Sequence, residues 1–321
     1  MEKFDIVIIG AGPGGLTAGI YAGRQGTKNL IIDRGLAGGI GREVPEMENY
    51  PGFDKISGLE LVGIMKSQAI ENCELHENEN VLKIIKNKED DYNFIIKTDQ
   101  SNYLTKSIIL ATGSSHKHLN VPGEEEYLGK GVSYCATCDG LFFQNKDIVM
   151  VGGGNSALQE AIFLKNIGAN VTIVHRRNEF RAQKYLQDLV KENNIDVICN
   201  VNVEKIKGDM LVNTIVLKDT NTGEITNLKT NGVFISIGYI PHIELAEQLG
   251  VTLSENKHII TDKNQKTNVD YLYAIGDVCV GLKQWVVACG EGAVAATSAY
   301  SDIKERSEEH TSELQSPTSI S

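Results

Sequence analysis

Short apolar runs alternate with stretches of helical period along this chain, and the alternation repeats. Phe4-Asp5-Ile6-Val7-Ile8-Ile9 reads as a strand buried on both faces, Leu16 to Gln25 as a helix, and Asn29 to Ile32 as a second strand ending at Asp33. The plan recurs at Asp147 to Val151, Leu158 to Ile167 and Asn170 to Val174. Residues 75–105 and 196–228 instead alternate apolar and polar positions between charged turns, which predicts antiparallel strands.

Each repeat closes on a further strand ending in glycine, Ser107 to Gly113 in the first and Gly232 to Gly238 in the second. A third such strand, Tyr271 to Asp277, follows the second repeat but has no helix-turn of its own. The economical reading returns it to the first domain. The predicted fold is therefore α/β: two nested dinucleotide-binding, Rossmann-like domains of three-layer ββα type, the second inserted into the first. Residues 116–244 form the insert, and residues 1–115 with 245–305 form the host. Ser114 to Pro122 and Tyr239 to Ile243 are the candidate hinges, each containing a proline.

The turn after each opening strand is rich in glycine. Gly10-Ala11-Gly12-Pro13-Gly14-Gly15 fits G-x-G-x-x-G, and Gly152-Gly153-Gly154-Asn155-Ser156-Ala157 fits G-x-G-x-x-A. Gly10 permits the tight turn, Gly12 lets backbone reach a pyrophosphate, and Gly15 lets the helix pack on the strand. The helix N-terminus then meets the diphosphate with its partial positive charge. Asp33 stands where a carboxylate accepts hydrogen bonds from a ribose diol. The second unit ends its strand in His175-Arg176-Arg177, with Arg181 close behind. Guanidinium groups there attract a 2′-phosphate that an acid would repel, which predicts NADPH over NADH.

Composition narrows the partners. Over 321 residues the net charge is −11, so nucleic acid and anionic membrane are not expected. No apolar run approaches the roughly 20 residues that span a bilayer, and the acidic start Met1-Glu2-Lys3-Phe4-Asp5 is no signal peptide. A cytoplasmic protein is expected. Six cysteines in that compartment do not make a structural disulfide framework.

Between the two fingerprints lies Cys135-Ala136-Thr137-Cys138-Asp139-Gly140. A C-x-x-C pair can close a small disulfide ring, bind metal or be two inert thiols. Zinc is disfavoured, because it needs about four ligands and no second pair exists. If Ala136 to Phe142 is a short helix, Cys135 sits at its N-terminus, where a thiolate is stabilised. Asp139 is near enough in sequence to give or take a proton. Cys73, Cys199, Cys279 and Cys289 read as small buried hydrophobes. His116, His118, His242 and His258 have no ligand spacing and read as surface or loop residues.

Together the nested units, the Cys135 to Gly140 stretch, Gly152 to Ala157, His175 to Ala182 and Ile275 to Val278 resemble the low-molecular-weight bacterial thioredoxin reductases. These are class II members of the pyridine nucleotide-disulfide oxidoreductases, and the resemblance covers residues 4–303. It implies a homodimeric flavoenzyme, with FAD on the host domain and NADPH and the redox disulfide on the insert. Gly10, Gly12, Pro13, Gly14, Gly15, Asp33 and Arg34 would hold FAD with Gly38, Gly39, Ile40, Asn49 and Val81. Gly113, Gly276, Asp277, Lys283, Gln284 and Trp285 would complete that site. Gly154, Asn155, Ser156 and Ala157 would hold NADPH with His175, Arg176, Arg177, Arg181, Ile237 and Gly238. Cys135 and Cys138 would be the redox disulfide, Asp139 the acid, and thioredoxin the acceptor; no metal is implied. The family is also known for a rotation of the inserted domain about its two linkers.

The chain departs from the family pattern at Ile40, usually Gln, at Lys283, usually Arg, and at Cys279, often basic. Alternative readings are a related reductase using ferredoxin or a peroxiredoxin system, and a non-catalytic redox-sensing nucleotide binder. Alkyl hydroperoxide reductase flavoproteins share the core but add an N-terminal thioredoxin-like domain. Residues 306–321 resemble the translation of a sequencing adaptor and are expected to be a non-native tail, the alternative being a natural disordered one.

Overall fold

A computed structural model describes residues 1–44, 47, 49–87 and 91–315, with the side chains of Glu43, Thr137, Cys138 and residues 309–315 outside the description. The chain divides into two compact units. One holds residues 1–43, 47–115 and 241 onward, and the other holds Val44 together with the stretch 116–240.

The first unit is built on a seven-stranded sheet. Glu2–Ile9 pairs in parallel with Asn29–Ile32 on one side and Asn102–Leu110 on the other. The start of Asn102–Leu110 takes the antiparallel arm Phe94–Thr98, itself paired with Val81–Lys86. Its end takes Leu272–Ala274 in parallel, so the third glycine-ended strand does return to the first sheet. One face packs Phe4, Leu30, Ile108 and Leu272 into a core with Phe94 and Ile96. Each such fully buried side chain contributes about 1.5–3 kcal/mol.

The second unit has five parallel strands in the order Asp196–Cys199, Asn170–His175, Asp147–Gly152, Gly232–Ser236 and Val132–Ser133. Ile148 and Met150 face the helical side with Leu158 and Ala161. Val149 and Val151 face the antiparallel strands Val201–Gly208 and Val212–Asp219 through Ile206, Ile215 and Leu217. This alternation along one strand produces the three layers. Residues Ser114–His116 and Tyr239–Pro241, which join the units, pair as a two-stranded ribbon.

Two short strands differ from expectation. Glu74–His76 and Asp196–Cys199 are parallel edge strands, not parts of the antiparallel arms. Each follows a helix, Gly58–Ile70 or Lys184–Glu192, and that crossover sets its direction. Alternation alone marks a half-buried strand of either sense. The last helix runs from Trp285 to Gln315, so the expected tail boundary at residue 306 falls inside it. Arg306 donates to Asn93 Oδ1 at 2.6 Å and lies 5.6 Å above the Tyr271 ring. Residues 316–321 lie outside the described residues.

Candidate functional site

The first fingerprint turn is dictated by backbone contact. Gly10 has φ +110°, and a Cβ there would sit 2.2 Å from Ala111 O; one on Gly15 would sit 1.8 Å from Gly10 O. Gly12 caps the helix Pro13–Arg24 without any side-chain cap bond. Among the described residues, a Cβ on Gly12 or Gly113 would meet no atom within 4 Å, and one on Gly39 would meet only Gly12 Cα. Bare backbone beside an uncapped helix N-terminus fits a diphosphate. Gly14 packs on the last helix, where a Cβ on Gly292 would come 2.3 Å from Gly14 O.

Asp33 takes the N–H of Ala11 on Oδ2 at 2.6 Å and of Gly35 on Oδ1 at 2.8 Å. It therefore ties the fingerprint turn to the next strand. Gly38 N–H donates to Ala11 O at 2.7 Å, bringing the Gly38–Gly39 segment to the same turn. Behind Asp33 lies Glu79, a buried carboxylate that the sequence reading missed. It accepts from Tyr103 at 2.8 Å and Thr98 at 2.6 Å and pairs with His76 at 2.9 Å. Its own N–H donates to Asp33 O. Arg34 faces His242, whose pKa is lowered by burial and by that guanidinium.

Gly276, at φ +74°, donates its N–H to Glu291 Oε2 at 2.6 Å. Burial raises the Asp277 carboxyl against the opposing pull of Lys283, and burial lowers Lys283, whose ammonium donates to Cys279 O. Glu291, raised by burial, completes this charged cluster and was not foreseen. Asn49 donates to Gln284 Oε1 at 3.0 Å, and the Trp285 ring fills the space beside Gly41. Ile40 lies in the 3-10 turn Gly39–Glu43. Val81 differs from its fellows: it begins an antiparallel strand and packs on the first core.

In the second unit, a Cβ on Gly152 would sit 2.3 Å from Ser236 O, with Ala157 buried against it. Gly154 caps the helix Asn155–Asn166 without a side-chain bond and has open space, which again fits a diphosphate. His175 is buried, its ring over Gly153 and its Nε2 3.1 Å from Glu179 O. Burial lowers its pKa, so a neutral ring wedges the turn rather than offering a charge. Arg176, Arg177 and Arg181 are exposed, and Arg181 N–H donates to Gly153 O at 2.9 Å. The three guanidinium groups thus belong to the segment that returns to the fingerprint. Ile237 packs on the core, and Gly238, at φ +104°, accepts from Lys117 N at 2.9 Å. Glu160, another unforeseen group, accepts from Ser236 Oγ at 3.3 Å, and burial pushes it up to about 7.

Cys135 is held in a disulfide. It precedes the one-turn helix Ala136–Asp139, which runs into the 3-10 turn Gly140–Phe143. The Asp139 N–H donates to Cys135 O at 3.2 Å. The Cys138 side chain lies outside the described residues. Leu141 and Phe142, 63% and 72% exposed, make an apolar step beside this turn. Among the other cysteines only Cys279 is fully buried; Cys73, Cys199 and Cys289 are half-buried. Burial raises the thiols of Cys73, Cys199 and Cys279, Cys73 to about 11. His116 is also no loose surface residue, since it stacks on Tyr134 and Tyr239. Among the described residues no cluster of metal-binding side chains occurs, and no helix is long and apolar enough to cross a membrane.

Residues 4–292 match the family described as pyridine nucleotide-disulphide oxidoreductase. The thioredoxin reductase of Bacillus subtilis is 40% identical over 308 residues, covering 95% of this chain and 96% of that protein. A solved thioredoxin reductase from Lactococcus lactis, in its FR conformation, has TM-score 0.76 and 42% identity over 94% of this chain and 99% of its own. One from T. acidophilum has TM-score 0.75 and 40% identity, with coverage of 94% and 99%.

Proposed function

The chain belongs to the pyridine nucleotide-disulphide oxidoreductase family, and from that premise we propose that it is an NADPH-dependent thioredoxin–disulfide reductase, working through FAD and a Cys135–Cys138 disulfide. The observation that carries this reading is the disulfide at Cys135, set at a helix N-terminus in the unit that also carries Gly154 and Arg176.

The first unit supplies the FAD site: bare backbone at Gly12, Gly39 and Gly113 for the diphosphate, and Asp33 to orient a ribose. The second supplies the NADPH site, where Arg176, Arg177 and Arg181 grip the 2′-phosphate. Bound FAD supplies the two-electron relay between a nicotinamide and a disulfide. Once reduced, the Cys135 thiolate attacks one sulfur of the acceptor disulfide, forming a mixed disulfide and releasing a thiolate. Asp139 gives the proton that this leaving sulfur takes up. Cys138 then attacks Cys135 Sγ, restoring the intrachain disulfide and freeing the second acceptor thiol.

Leu141 and Phe142 offer an apolar landing beside the reacting sulfur, which suits a small protein such as thioredoxin. Tyr21 on one helix and Leu59, Ile64 and Ile70 on the helix packed against it are also exposed, which suits a homodimer. The cytoplasm, which keeps thiols reduced, is the matching compartment.

Colour and bleaching test the reading. The purified protein is expected to be yellow, to bleach with NADPH under anaerobic conditions, and to reduce thioredoxin with NADPH far better than with NADH. A colourless protein that takes up no added FAD rejects it.

A further inference from the structure

The residue before Cys135 is tied into a group of aromatic and acidic side chains that the redox chemistry does not use. The Tyr134 hydroxyl donates to Glu124 Oε1 at 2.5 Å and lies 2.7 Å from His118 Nδ1. With the phenol proton given to Glu124, the phenol oxygen accepts from His118, so the imidazole carries its proton on Nδ1. Burial, and then Glu124, raises the Tyr134 phenol, which keeps it a donor. Glu124 is 3% exposed and also takes the N–H groups of Leu119 at 2.8 Å and Asn120 at 2.6 Å. The Tyr134 ring stacks on His116, centroids 5.2 Å apart at 27°, and His116 lies 4.9 Å from Tyr239. His116 ends one linker strand and Tyr239 begins the other. All of these residues belong to the second unit.

Cys135 needs such support. A helix of one turn, Ala136–Asp139, cannot fix the residue that precedes it, because a single turn is unstable by itself. Ser133 provides part of the hold, accepting from Cys135 N at 3.0 Å and donating to Cys135 O at 3.2 Å. Tyr134 stands between these two residues and anchors the pair.

We propose that Tyr134 is a positioning residue for Cys135: its hydroxyl, anchored on Glu124 and His118, and its ring, stacked in the Tyr239–His116 column, hold the cysteine backbone in one attitude for attack on the acceptor disulfide. This inference rests on the reading of Cys135 as the attacking thiol. It separates two half-reactions, because hydride transfer to the flavin makes no use of the Cys135 attitude while thiol–disulfide exchange does.

Tyr134→Phe in the holoenzyme keeps the stack and removes both hydrogen bonds. Turnover with thioredoxin is expected to fall about fivefold or more with KM within about twofold, while flavin bleaching by NADPH and the unfolding midpoint stay at the wild-type values. Alkylation of Cys135 by iodoacetamide in the dithiothreitol-reduced holoenzyme, read by peptide mass spectrometry, is expected to slow by a similar factor. His116→Phe, which keeps a ring in the column, is expected to alkylate at the wild-type rate, and His116→Ala to share the loss. Wild-type alkylation in Tyr134→Phe overturns the proposal. So does an equal loss in flavin bleaching together with a lowered midpoint, which marks a merely structural role. If the wild-type enzyme bleaches but reduces no thioredoxin, the functional reading fails, and the alkylation rates still decide the role of Tyr134.

Discussion

Asp33 Oδ2 accepts the main-chain N–H of Ala11 at 2.6 Å, across 22 positions of sequence. One carboxylate thus shapes the glycine turn from within, and in the proposed FAD site it would also orient the ribose. Asp33→Ala removes a charge-assisted bond, worth about 1.5–3 kcal/mol. FAD affinity, followed by the rise of flavin fluorescence on dilution, is expected to weaken about tenfold or more. Unchanged affinity would show that the carboxylate serves only the turn.

The disulfide at Cys135 makes a sharper separation. Cys135→Ser is expected to abolish thioredoxin reduction, by about a thousandfold or more, while NADPH still bleaches the flavin. Thioredoxin turnover near the wild-type rate in this variant would refute the exchange mechanism.

On the proposed function, cofactor choice rests on the guanidinium groups after the second fingerprint, which are exposed. Arg176→Ala combined with Arg177→Ala is expected to raise KM for NADPH about 10- to 100-fold and to leave KM for NADH within about threefold. Steady-state kinetics with both nucleotides check this, and parallel losses would mean that the arginines bind something other than the 2′-phosphate.

Phe142 is 72% exposed beside the redox turn. Phe142→Ala is expected to raise KM for thioredoxin about tenfold, with kcat for a small aromatic disulfide unchanged. A variant that loses both activities equally would place Phe142 in the fold rather than in docking.

Glu160 makes stability depend on pH. Burial pushes its carboxyl from 4.5 up to about 7, so the folded chain keeps a proton that the unfolded chain releases. Its contribution is full below about pH 4.5 and is lost as pH rises to about 7. The unfolding midpoint is expected to fall across that window, and Glu160→Gln, which cannot ionise, to flatten the fall. Identical slopes for the two proteins would show that Glu160 is not the group responsible.

Motif-bearing elements were legible because glycine and apolar runs encode them locally. Gly10, Gly15 and Gly152 each leave room for a backbone oxygen, and no other residue type would fit, so the letter itself reports the contact. The strand Tyr271 to Asp277 could be returned to the first sheet because it shares the glycine ending of Ser107 to Gly113. Glu79 and Glu124 were invisible for the opposite reason. A carboxylate is normally a surface letter, and only the partners that converge on it from distant strands show that it is buried. His116 was misread as a loose loop residue because stacking on Tyr134 and Tyr239 is set by the meeting of two linkers. The sense of Glu74–His76 and Asp196–Cys199 was equally out of reach, since period-two patterning carries no direction.

The first sheet stays incomplete until Leu272–Ala274 has been made, whereas every strand of the second unit lies between residues 116 and 240. On a ribosome the inserted lobe can close while its host still waits for its last strand. Closure thus runs from the insert outward, and the host, although its first strand is synthesised first, is the last to be completed.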